Sequence, residues 1–227
     1  MTMKKCLKYH WNVLAGHKYI LLSVLLSAAV LGISAGSDVR TYAMRGQGLD
    51  ATSALALALE GRRAVGFVGA VWTYLFLYCE FQQRGINNTV YRGCGKLSIF
   101  VGKYLLLLFS CALCSVVLQG ASLLTAWEWI NGVPAEWLLR CAGLRLLLDF
   151  GTMTAPLFVV VLLQGNLTAG VLCLIYGLLL YFKAPVNYGL WLPNIAGTLE
   201  VFSLWPIGAL PVSAALSALI WYRAELR

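Results

Sequence analysis

Six long apolar runs constrain this chain more than any other feature. They cover residues 19–36, 64–79, 97–125, 137–163, 167–182 and 201–222. Runs of this kind approach or exceed the length that crosses a bilayer, about 20 residues for a helix. Hydrocarbon offers no hydrogen-bond partners, so a spanning segment has to satisfy its own backbone, as a helix or as part of a closed barrel. Barrel strands alternate apolar and polar residues, whereas these runs are apolar on all sides and carry Gly and Ala within them. The expectation is an all-α polytopic membrane protein, with six transmembrane helices in one domain over residues 1–227. Composition agrees. The chain is 60% hydrophobic and 11% charged, where a soluble domain has about a quarter of its residues charged.

The net charge of +8 is explained without nucleic acid, because the basic residues collect at the ends of the runs. If the N-terminus is cytoplasmic, one side holds Lys4, Lys5, Lys8, Lys18, Arg84, Arg92, Lys96, Lys103, Arg223 and Arg227 in short segments with few acids. The other side holds Arg40, Arg45, Arg62, Arg63, Arg140, Arg145 and Lys183 in company with most of the acids. The positive-inside rule then places both termini in the cytoplasm; a cell (plasma) membrane, bacterial, is the expected setting.

Residues 1–18 interleave Lys4, Lys5, Lys8 and Lys18 with Tyr9, Trp11 and Val13, the pattern of an amphipathic elbow helix lying in the interface. A basic start before an apolar run is also how a signal peptide begins. Here Ala28, Gly32 and Gly36, spaced by four residues, argue for a retained packing helix. That stripe fits a dimer seam and packing within the chain equally well. Residues 50–60 suggest a short surface helix, 126–136 an interfacial loop anchored by Trp127 and Trp129, and 164–166 a tight turn.

A long polar, charged passage between runs is 79–105, which would be cytoplasmic. Glu80, Arg84, Arg92, Lys96 and Lys103 supply charge, while Gly85 and Gly93 punctuate it. Between the glycines, Ile86 and Val90 lie four apart and would share a helix face. Physically this suits both a docking helix with an apolar tip and a solvated connector.

The order of features resembles the permease subunits of type-2 ABC exporters, including the small six-span permeases of lantibiotic-immunity and bacitracin-type multidrug systems. The matching residues are Glu80 closing the second span, Ile86, Asn88 and Thr89 in a short helix, Gly93 with Lys96 after it, and Lys103 entering the third span. The layout also matches, from the basic elbow through six spans to the Pro- and Gly-rich 183–200 before the last. One departure is Gly95, where the family often has Ser or Thr; Ser98 would then be the alternative cap. The resemblance implies that the segment is a cytoplasmic coupling helix seated in a groove of a separate ATPase, with Glu80, Arg84, Ile86, Asn88, Thr89, Val90, Arg92, Gly93, Lys96 and Lys103 as its coupling residues. It further implies a second permease protomer, identical or different, and an amphipathic substrate such as a peptide antibiotic, a drug or a lipid-like molecule. ATP and Mg would be bound by the partner. This chain has no G-x-x-x-x-G-K-[ST], and GCGKLS at 93–98 lacks its spacing.

Other chemistry is thinly represented. Cys111 and Cys114 form a C-x-x-C in mid-run, with no second pair and no nearby His, and read as small apolar residues. His10 and His17 both fall in the basic N-terminal segment, and no H-E-x-x-H, G-x-S-x-G or paired carboxylates occur within a run. An intramembrane enzyme is therefore a distant alternative, and a non-transporting anchor or assembly partner a nearer one. No metal site or bound cofactor is expected. The Asn-x-Thr triplets at 87–89 and 166–168 both lie on the cytoplasmic side of this topology, where they escape glycosylation. Arg145 and Asp149, four apart within the fourth run, can pair on one face. They read either as a structural ion pair or as part of a substrate path, because charges inside a span by default face protein or water.

Overall fold

The computed structural model describes residues 8, 11–12, 15–16, 18–45, 50–59, 62–82, 95–182 and 205–223. These form helices throughout, joined by turns and with no strand among them. In chain order the helices are α1 (Lys18–Met44), α2 (Ala51–Leu59), α3 (Arg62–Gln82), α4 (Lys96–Thr125), α5 (Trp127–Ile130), α6 (Ala135–Leu162), α7 (Leu167–Phe182) and α8 (Trp205–Arg223). By length and composition α1, α4 and α6 can each cross a membrane, and two shorter apolar stretches lie at Phe67–Tyr78 and Leu167–Leu179. The segment 83–94 lies outside the described residues. With it lie Arg84, Ile86, Asn88, Thr89, Val90, Arg92 and Gly93, most of the proposed elbow, and 183–204.

The first helix outruns its expected end at 36 and continues to Met44. Its hydroxyls turn inward to their own backbone. Ser23 donates to the Tyr19 carbonyl at 2.9 Å, Ser27 to Ser23 at 2.8 Å, Ser37 to Ser34 at 2.7 Å and Thr41 to Ser37 at 3.0 Å. A satisfied hydroxyl is no obstacle to a helix in an apolar setting, and Val39 beyond the glycines is fully buried.

A second correction concerns residues 50–60. Helix α2 is packed rather than superficial. Ala54, Leu55, Ala58 and Leu59 are buried with Val39, Ala126 and Ile130, and Ser122 of α4 donates to the Ala58 carbonyl at 2.7 Å. Asp50 starts it. Its carboxylate accepts the Ser53 N–H at 3.3 Å and the Thr52 hydroxyl at 2.5 Å, an N-terminal cap for otherwise orphaned donors. These hydrogen bonds, Ser53 first and then Thr52, hold its pKa below the ordinary value of 3.8.

Helix α4 is the hub, touching α1, α2, α3, α5, α6 and α8. It begins at Lys96 with Gly95 as N-cap, in extended conformation (φ −65°, ψ 141°) and without a side-chain cap. Ser98 lies inside the first turn and is not the cap. At the other junction the tight turn at 164–166 is present. Gln164 and Gly165 both have positive φ, 50° and 65°, and the Gly165 N–H reaches back to the Val160 carbonyl at 2.9 Å. Asn166 Oδ1 then accepts the Ala169 N–H at 3.0 Å and starts α7. Gly165 is needed here twice over, since a Cβ would also come within 2.8 Å of the Phe81 ring.

Contacts fix the helix directions. Gly32 faces Leu118 and Ala121, and Gly36 faces Ser122 and Thr125, so α1 and α4 run parallel. Gly170 meets Tyr74 and Gly177 meets Phe67, so α3 and α7 are antiparallel; Gly165 meets Phe81 and Gly69 meets Met153, so α3 and α6 are parallel. Phe81 and Phe100 both pack on Trp221. The end of α3, the start of α4, the α6–α7 turn and the end of α8 therefore share one end of the bundle, which we call the base. The start of α1 points the same way.

Candidate functional site

Midway along α4 and α6 lies a polar cluster sealed from the exterior. Arg145 Nη2 is 2.7 Å from Asp149 Oδ1, and the two side chains are 5% and 1% exposed. Ser115 of α4 donates to Asp149 Oδ2 at 2.5 Å. Gln119 Nε2 donates to Ser115 Oγ at 2.8 Å. Asp149 is thus engaged from two helices, Oδ1 in an ion pair with Arg145 of its own helix and Oδ2 in a hydrogen bond from Ser115 of the neighbouring one. Helical rise places Arg145 about 15 Å from the start of α6 at Ala135, since 145 − 135 is ten residues at about 1.5 Å each. An ionised side chain at the centre of a span costs about 2.5–3.5 kcal/mol on insertion scales. Neutralising the charge within the cluster, and satisfying Asp149 from both helices, offsets that cost.

Sequence spacing indicated the Arg145–Asp149 pair. It did not indicate the α4 half. The available signal was Gln119, an amide inside an apolar run, with Ser115 four residues before it on the same face.

The small-residue stripe is occupied within the chain. Ala28 is 1% exposed, a Cβ on Gly32 would stand 2.3 Å from the Leu118 carbonyl oxygen, and one on Gly36 would stand 2.6 Å from that of Ser122. Of the two uses expected for Ala28, Gly32 and Gly36, packing within the chain is the one seen and the dimer seam is not, because α4 already fills the stripe.

Lys103 is likewise relocated. It is 2% exposed, with Nζ 5.4 Å from the Phe76 ring centroid, so it belongs to the bundle and is not offered to a docking partner. Lys96 stays at the base, where its carbonyl accepts the Trp221 indole N–H at 3.1 Å. The Glu80 backbone lies in the last turns of α3. Cys111, Cys114 and Cys173 are buried free thiols, consistent with packing roles. A cleft between α3, α4 and α6 is lined by Thr73, Tyr104, Leu107, Leu108, Phe150, Met153 and Leu157. Its room for water, about 10 Å³, is that of a single molecule.

No protein-family model, curated protein or solved structure matches the chain.

Proposed function

We propose that this chain is the membrane permease subunit of an ATP-driven ABC exporter, working with a second permease protomer and with ATPase subunits that bind ATP and Mg. In this reading α1, α3, α4, α6, α7 and α8 are the six spans, and the amphipathic substrate leaves the cell or its membrane. The observation that carries the reading is the gathering at the base. The ends of α3 and α4 that flank 83–94 stand there with the end of α8 at Arg223, and α1 begins towards the same side at Lys18, the basic side expected to face the cytoplasm. The elbow over 1–18 belongs to the same reading; its Trp11 ring packs on Phe109 of α4 at 5.5 Å between centroids. The single-water cleft does not hold an amphipathic molecule; in this reading the substrate path is lined by two protomers or opened by helix movement.

The experiment has two arms. Single cysteines at Asp50 and Asn88, in a cysteine-free background, are treated with a membrane-impermeant maleimide in intact cells. Labelling at 50 and protection at 88 is expected, and the opposite pattern inverts the topology. Co-purification with a co-expressed ABC ATPase then tests coupling. Ile86→Asp would set a charge in an apolar groove and is expected to lower ATPase recovery by about tenfold, equivalent to about 1.4 kcal/mol. Wild-type recovery from this variant removes the coupling assignment and favours a non-transporting anchor.

A further inference from the structure

At the base, one side chain touches both helix ends that flank 83–94. Trp221, in the last turn of α8, is 2% exposed. Its indole N–H donates to the Lys96 carbonyl at 3.1 Å. Its ring meets Phe100 of α4 at 5.7 Å and Phe81 of α3 at 5.4 Å, the latter edge-on. Phe100 in turn stacks on Tyr104 at 6.1 Å and an interplanar angle of 7°. Phe81 has a second neighbour, Gly165 in the α6–α7 turn, where a Cβ would come within 2.8 Å of the Phe81 ring.

We propose that Trp221 is the positioning residue that sets the spacing between the end of α3 and the start of α4, and that it shares any displacement of those ends with α8 and the α6–α7 turn. The chemistry supports a fixed geometry more than simple apolar contact. An indole N–H buried against a backbone carbonyl fixes the ring's rotation, and an edge-on aromatic neighbour fixes its tilt. Without Trp221, Phe81 and Phe100 would face a cavity, and the two helix ends would lose their shared partner. Gly165 completes the arrangement, because any side chain there would displace Phe81 from its present place against Trp221. Transmission to an ATPase rests on the exporter reading above, whereas the clamp itself does not.

Spin labels at Gln82→Cys and Gly95→Cys, in a cysteine-free background, report the spacing by double electron–electron resonance. Position 95 tolerates a side chain, the nearest atom to a Cβ there being Ser98 Oγ at 3.9 Å. The native Trp221 is expected to give one narrow distance, Trp221→Phe a broader one, and Trp221→Ala a broad distribution. Helix content by circular dichroism and a single elution peak serve as fold controls. Should the alanine variant fail them, Trp221→Phe alone decides, since it keeps a ring and drops the N–H. Unchanged distance distributions in a folded variant overturn the clamp. Broadening with undiminished ATPase recovery upholds the clamp and overturns the coupling role assigned to 83–94, so the two failures are distinguishable.

Discussion

The middle of the bundle and its base are held together by different means. In the middle, α1 approaches α4 through Gly32 and Gly36 closely enough that a methyl group would overlap carbonyl oxygens, and α4 holds α6 through Ser115 and Asp149. At the base, large rings interlock, with Trp221 against Phe81 and Phe100, and Phe100 stacked on Tyr104. The difference follows from the solvent. Lipid tails are as apolar as Leu, so in hydrocarbon burying Leu gains little, and helices associate through close backbone approach and interhelical hydrogen bonds. Towards the interface, water returns, and aromatic side chains with one polar atom become effective.

Three substitutions would break or sharpen this contrast. The largest effect is expected at Asp149. Asp149→Leu leaves Arg145 buried without a counter-charge, which costs about 3–5 kcal/mol when one partner of a buried pair is removed. The double variant Arg145→Met with Asp149→Leu is expected to recover most of the loss, as apolar replacements of buried pairs often do. Thermal melting of the detergent-purified protein, followed by tryptophan fluorescence, compares the two. Equal destabilisation by the single and the double variant would assign the loss to the Ser115–Asp149 bond between α4 and α6, which both lack, and not to the uncompensated charge.

Next is Gly32→Leu. The obstructing atom is backbone, which cannot swing aside, and overpacking of this kind costs about 1–3 kcal/mol. Melting temperature should fall independently of protein concentration, since the contact lies within one chain. A fall confined to the dimeric fraction would return the stripe to a subunit seam.

The smallest effect is expected outside the bundle's middle, at Asp50. Its folded pKa is lowered, so its contribution is present above the unfolded value near 3.8 and fades as pH drops through the lower folded value. Asp50→Ala should melt slightly earlier than wild type at neutral pH, and the gap should close in acid. A gap that persists below that window would assign the effect to helix propensity and not to the cap.

What the sequence made legible follows the same physics. Apolar runs announce helices because lipid leaves the backbone no alternative. Arg145 and Asp149 were readable because their relation is local, one helical turn. The Ser115–Asp149 bond joins residues 34 apart, and the Trp221–Lys96 bond joins residues 125 apart; no local pattern encodes either. The glycine stripe announced a close approach without naming α4 as its partner. Residues 37–44 looked like the start of a polar loop because their hydroxyls and charges were visible, while the back-bonding that keeps α1 helical was not. A short run of alternating Leu and Ala in α2 carries no sign of whether a protein surface covers it.

The length of α4 has a mechanical consequence. Thirty residues make a rod of about 45 Å, against about 30 Å of hydrocarbon, so the rod has length to spare beyond the lipid. Gly32 of α1 bears on it at Leu118, and 118 − 96 is 22 residues, a lever arm of about 33 Å to the Lys96 end. With that contact as fulcrum, a tilt of about 5° displaces the Lys96 end by about 3 Å along the arm's arc. A pull delivered at the base would be geared down on its way to the buried charges and delivered there with greater force.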